Sequence, residues 1–228
     1  MLNPMEVRNE FLKGKPVLIF DSIEREAETD MVYYAGSIDP LKIAFMRKNA
    51  GGQICYVSGR KFREALEIPF LLDLYMKHPV LRELASKKPQ YGDPPAFNVW
   101  LNHVSTKTGI SDTDKSITIR ALHDVAELLY RGLVTEARYK FTKEFYGPGH
   151  VPVLTSRGLE NRRGHTELTV ALALIAGLTP SIVIAEMLTD EVSLPYEDAK
   201  KFASRNNLLF IDGADIVAEA EKRGFLND

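Results

Sequence analysis

Lys15-Pro16-Val17-Leu18-Ile19-Phe20-Asp21, followed by Ser22-Ile23-Glu24-Arg25-Glu26-Ala27-Glu28-Thr29-Asp30 and then Met31-Val32-Tyr33-Tyr34-Ala35, sets the architecture of this chain. Pro16 to Phe20 is a continuous apolar run, the pattern of a strand covered on both faces. Met31 to Ala35 is a second strand, and the polar turn between them predicts a hairpin. Downstream, strand patterns at Gln53–Ser58, Ala96–Leu101, Val151–Leu154, Ser181–Ala185 and Leu208–Ile211 alternate with helical ones. The helices are expected at Pro4–Leu12, from Asp39-Pro40 to Gly51-Gly52, at Gly59–Leu66, after Lys115 to Gly132, from Thr166, at Tyr196–Arg205 and at Ala214–Arg223. Such alternation, broken by an early hairpin, predicts an α+β fold: a three-layer α/β/α sandwich around a mixed sheet. No repeat or linker divides residues 1–228, so a single domain is expected.

The 228 residues carry 29 Lys and Arg against 31 Asp and Glu, a net charge of −2. That balance gives no general attraction to nucleic acid or to an anionic membrane, so any anion site must be local. The one cysteine, Cys55, excludes an intrachain disulfide and a cysteine-rich zinc site. It lies in an apolar strand and reads as a small buried hydrophobe. The first residues lack the apolar core of a signal peptide, and the longest apolar run, Leu168–Leu178, is too short to span a bilayer. A cytoplasmic location is expected.

Two stretches carry chemistry. Arg162-Arg163-Gly164-His165-Thr166-Glu167 stands before the apolar helix, where free N–H groups and the positive end of the helix dipole attract phosphate. The plainer alternative makes Thr166 an N-cap, Glu167 a first-turn acid and the arginines a solvated loop. In the hairpin turn, extended backbone would put Glu24, Glu26, Glu28 and Asp30 on one face. Crowded carboxylates repel, so either water screens them or a hard cation such as Mg²⁺ sits among them. A solvated acidic hairpin is the competing reading.

Three further places attract attention. His150, in Gly147-Pro148-Gly149-His150-Val151, is expected on a tight turn at the mouth of a strand, where imidazole can exchange protons near neutrality. Glu186 follows the strand Ser181–Ala185, at the carboxyl end where ligands gather in α/β folds. The loop Ser86–Pro95, rich in Lys, Pro and Gly, is expected to be mobile. His78 and His123 read as structural or exposed, and His103 as ambiguous.

Arg25-Glu26-x-Glu28-x-Asp30, Gly109-Ile110-Ser111, Gly147-Pro148-Gly149-His150-Val151, Arg162-x-Gly164-His165-Thr166-Glu167 and Glu186, in this order, resemble 3,4-dihydroxy-2-butanone 4-phosphate synthase from about residue 15 to about residue 215. Where relatives often have a second glycine, this chain has Arg163. The resemblance implies conversion of D-ribulose 5-phosphate to formate and 3,4-dihydroxy-2-butanone 4-phosphate, a riboflavin precursor. It implies Mg²⁺ or Mn²⁺, two ions per active site, and a homodimer with active sites near the interface. By motif match, Glu26 and His165 are the metal ligands. Arg25, Glu26, Asp30, Arg162, Arg163, Gly164, His165, Thr166 and Glu186 contact substrate, and His150 and Glu186 are essential to the chemistry. No fused cyclohydrolase domain is expected after Asp228.

These residue types fit the demands of such a reaction. Arg162, Thr166 and the helix N-terminus suit a phosphate, with Thr108 and Ser111 as further candidates. Glu28, Asp30 and Glu186 are candidate bases, with His150 moving protons. The rival readings are another metal-dependent sugar-phosphate aldolase or isomerase, and a non-catalytic nucleotide- or RNA-binding module, which the charge balance disfavours.

Overall fold

The structure, a computed structural model, describes residues 2–228. In chain order the elements are α1 (Pro4–Leu12), β1 (Val17–Phe20), β2 (Thr29–Tyr34), α2 (Pro40–Asn49), β3 (Cys55–Ser58), α3 (Arg60–Leu66), α4 (Leu71–Tyr75), α5 (Pro79–Ala85) and β4 (Phe97–His103). They continue with α6 (Asp112–Tyr130), α7 (Val134–Glu144), β5 (Phe145–Thr155), α8 (His165–Ile175), β6 (Ser181–Glu186), α9 (Tyr196–Asn206), β7 (Leu209–Asp212) and α10 (Gly213–Arg223). The strands form a seven-stranded sheet in the order β4-β5-β3-β6-β2-β1-β7. It is mixed, as expected: β1 and β2 form the antiparallel hairpin, while β1–β7 and β3–β5 run parallel.

Alternation along the strands splits the core in two. Leu18, Met31, Tyr33, Tyr56, Val153 and Val183 face one side with Ile43, Met46, Ile119, Leu122, Val125 and Leu129 from α2 and α6. Val17, Ile19, Val32, Val57, Ile182 and Ile184 face the other with Val7 and Phe11 of α1, Ile216 of α10 and much of α8. Two apolar layers on a sheet buried from both sides make the α/β/α sandwich. Among the described residues, no helix is long and apolar enough to cross a membrane.

Several local expectations need correction. The stretch Leu71–Ala85 forms α4 and α5, with His78 as the N-cap of α5, and α7 was not anticipated. The tight turn around His150 is a bulge inside β5. Tyr146 pairs with Asn102 and Val151 with Leu101, so Gly147 to His150 are extruded from the ladder. Gly149 is needed there, because a Cβ would collide with the backbone of Leu101 and Asn102. Helix α8 starts one residue early: Gly164 is its cap, and Thr166 is inside the helix and caps nothing.

Candidate active site

The turn between β1 and β2 is held by Asp21, buried at the carboxyl end of β1. Its carboxylate accepts the backbone N–H of Glu26 at 3.1 Å and of Glu28 at 3.0 Å, and Nη1 of Arg25 at 3.1 Å. Ala27 adopts φ 56°, so the chain bends where extended backbone was expected. The bend breaks the predicted alternation. Glu24 turns outward to a separate hollow beside Tyr196 and Asp212, while Glu26, Glu28 and Asp30 line one cavity.

That cavity, of about 260 Å³, is walled by the acidic turn, Gln53 just before β3, Cys55, Ile184 and Glu186 from the sheet, Tyr91 and Pro95 from the loop before β4, and Arg162, His165 and Thr166 at the start of α8. Asp30 and Glu186 face each other in register on β2 and β6. Ser193 Oγ lies 2.7 Å from Glu186 Oε1 and 3.1 Å from Glu28 Oε1. One hydroxyl hydrogen cannot serve two ionised carboxylates at once, so the trio is suited to hold an extra proton. Burial, reinforced by the Glu186 charge, pushes Glu28 up to about 7. Burial raises Asp30 to about 6, against the opposing pull of His165.

His165 Nε2 lies 3.2 Å from the Ile19 carbonyl, which makes it the protonated nitrogen. Nδ1, left as acceptor, faces Asp30 at 3.6 Å and Glu26 at 3.9 Å. Ligand atoms of Asp21, Glu26 and His165 all fall within 4.8 Å of one another, a donor set that suits a divalent cation. Asp21 already accepts two backbone N–H groups, so Glu26 and His165 are the freer ligands.

The cationic side is equally constrained. Glu167, fully buried, accepts Arg162 Nη1 at 2.6 Å and the Arg157 N–H at 3.0 Å. Burial raises Glu167 and the Arg162 charge opposes this. Arg25 pairs with Asp21, Glu26 and Asp93, and stacks its guanidinium 4.8 Å from the Tyr91 ring centre. Its Nη2 is buried and has no partner, as is Nε of Arg162. Gly164 leaves room for both guanidiniums, since a Cβ would strike them.

Of the residues expected from sequence, Arg25, Glu26, Glu28, Asp30, Arg162, Gly164, His165, Thr166 and Glu186 come together around this cavity. Arg163 is exposed beside it. Thr108, Ser111 and His150 lie outside its walls in a second cluster. Asn102 donates to His150 Nδ1 at 3.1 Å and to the Thr108 carbonyl at 3.4 Å, and accepts the His150 N–H at 2.8 Å. Ser111 caps α6 through the Asp114 N–H. Sequence reading passed over Asp21, Tyr91, Asp93 and Ser193. Asp21 had a signal, its place at the end of a strand, the same one that marked Glu186. The composition of Ser86–Pro95 marked the loop as a whole but did not single out Tyr91 or Asp93, and Ser193 had no signal. Cys55 lines the cavity with its thiol strongly raised by burial, an unreactive group.

Residues 5–219 match the family described as 3,4-dihydroxy-2-butanone 4-phosphate synthase. The chain is 36% identical over 214 residues to the enzyme of that name from Methanosarcina acetivorans, covering 90% of this chain and 85% of the relative. It is 37% identical over 221 residues to that of Archaeoglobus fulgidus, covering 93% and 91%. A crystal structure of 3,4-dihydroxy-2-butanone 4-phosphate synthase in complex with two magnesium ions superposes with a TM-score of 0.74 at 27% identity, over 97% of each chain. Sequence, fold and site agree: the chain belongs to the 3,4-dihydroxy-2-butanone 4-phosphate synthase family.

Proposed function

We propose that this chain, as a single domain over residues 1–228, converts D-ribulose 5-phosphate to formate and L-3,4-dihydroxy-2-butanone 4-phosphate with Mg²⁺, two ions per site, Mn²⁺ being an alternative. The observation that carries the reading is one cavity with a metal-ligand pair, a phosphate corner and a carboxylate wall. Glu26 and His165 would hold the cation, which when bound supplies Lewis-acid stabilisation of charge on the sugar oxygens. Arg162, Thr166 and the N–H groups at the start of α8 take the phosphate. Glu28, Asp30 and Glu186 then stand along the sugar. A carboxylate whose affinity for protons is raised toward neutrality can remove the proton next to the ketone and still be ionised at physiological pH. Tyr91 and Asp93 hold their loop against Arg25 and keep water from the sugar.

We further infer a homodimer in the cytoplasm. His150 and Thr108 stand outside the cavity of their own chain, on a surface with the exposed apolar side chains Trp100, Val104, Ile110 and Tyr146. A second copy packed on that surface would cover it and bring His150 toward a neighbouring site.

The test is a formate assay on purified protein with D-ribulose 5-phosphate, with Mg²⁺ and then with EDTA. Metal-dependent formate release, equal to substrate lost, is expected. Consumption of substrate without formate would assign the cavity to an aldolase or isomerase instead.

A further inference from the structure

Beyond β6 the chain makes a tight hairpin. Leu188 and Ser193 face each other, the Leu194 N–H returns to the Met187 carbonyl at 2.7 Å, and Thr189 Oγ1 accepts the N–H groups of Glu191 and Val192. The turn is therefore fixed by its own backbone and by one hydroxyl, and it delivers Ser193 back onto the residue that ends β6, Glu186. Among the described residues Ser193 is the one side-chain donor that reaches the Glu186 carboxylate, and the same oxygen reaches Glu28 in the turn before the neighbouring β2.

A carboxylate at the end of a glutamate turns about a soft terminal torsion, so its lone pairs point nowhere in particular unless a donor holds one oxygen. Proton abstraction demands an aimed oxygen. We propose that Ser193 is a positioning residue for the reaction proposed above: its hydroxyl holds Glu186 Oε1 and links it to Glu28, leaving Glu186 Oε2 directed at the sugar. In the step it serves, the C–H bond next to the ketone breaks, an O–H bond forms on Glu186, and the bonding pair passes into the adjacent carbonyl. Ser193 touches neither substrate nor cation in this role. It governs the rate of the step and leaves binding largely untouched.

The test compares Ser193→Thr with Ser193→Val, side chains of nearly equal shape that differ in the hydroxyl. Ser193→Thr is expected to restore turnover to within about threefold of the original chain. Ser193→Val is expected to lower kcat by about ten- to a hundredfold, the usual cost of losing a hydrogen bond that orients an active-site ligand. KM and the Mg²⁺-induced rise in Tm should change little in either. Equal kcat for the two variants would overturn the role of Ser193 while leaving the reaction intact. A loss in Ser193→Val that is confined to KM, or that follows a loss of Mg²⁺ response, would overturn it too. If the unsubstituted chain released no formate, both proposals would fall together.

Discussion

Glu167 and Arg162 form a charge pair that lies out of water, with Oε2 and Nη1 2.6 Å apart, at the point where α8 meets the cavity. The acid that the sequence offers as a first-turn residue is thus the anchor of an arginine that lines the cavity. Removing one partner of a buried pair leaves an uncompensated charge and costs about 3–5 kcal/mol. Glu167→Ala is expected to lower the unfolding free energy by that order and, in whatever folds, to raise KM for the sugar phosphate. Chemical denaturation and steady-state kinetics check the two effects.

Acid should stabilise the metal-free protein. Asp30 and Glu28 have folded values near 6 and 7, above those of the free side chains, so the native state binds these protons more tightly than the unfolded chain. Their penalty is absent below about pH 4, appears as the unfolded chain ionises, and is complete above pH 7. For Asp30 alone it amounts to about 3 kcal/mol. Tm in EDTA is expected to be higher at pH 5.5 than at pH 8, and Asp30→Asn to flatten the slope. A rising Tm over the same range would refute it.

Divalent cation should reverse that penalty. Mg²⁺ at millimolar concentration is expected to raise Tm at pH 8, where the carboxylates are ionised, more than at pH 5.5. Glu26→Gln or His165→Gln should abolish the rise, whereas Arg163→Ala, whose side chain is exposed, should not. Thermal scans across a Mg²⁺ titration measure it.

The loop before β4 should be held by Arg25. Tyr91→Ala and Asp93→Asn each remove one of its two contacts with that guanidinium. Faster proteolytic cleavage within 86–95 is expected for both, with Tyr91→Phe, which keeps the ring, close to the original. Unchanged cleavage would show that the loop is held by other means.

Subunits should complement each other. If His150 serves a neighbouring site, mixing inactive His150→Ala and Glu186→Ala chains restores one competent site in a heterodimer. Random pairing then gives about a quarter of full activity. Strict additivity of two inactive proteins would place His150 and Glu186 in the same chain's site.

Much of this was readable in the sequence because it is local. Val17–Phe20 and Ile182–Ala185 are apolar without a break and became strands covered on both faces. Residues 162 to 167 read as a helix start because a polar cluster precedes an apolar run. Periodicity failed where backbone geometry is irregular. Asp21 draws the turn inward through three hydrogen bonds, so Glu24 parts from Glu26 and Glu28, and no spacing rule foresees that. The bulge at Gly147–His150 extends a strand that looked short, because glycine and proline are usually turn formers. Ser193 reaches Glu186 by a fold-back whose residues look like any surface loop.

The pairing of Asp30 with Glu186 on neighbouring strands has a consequence for how such a site can vary over evolutionary time. Sheet register moves in whole residues, and a slip of one residue sends every side chain of the strand to the opposite face. The gap between these two acids therefore admits no gradual adjustment. Point changes on either strand can tune what surrounds the pair, but an insertion or deletion within β2 or β6 would dismantle it in a single step. Length variation among relatives should accordingly collect in the loops that flank these strands, while the strands themselves keep their count.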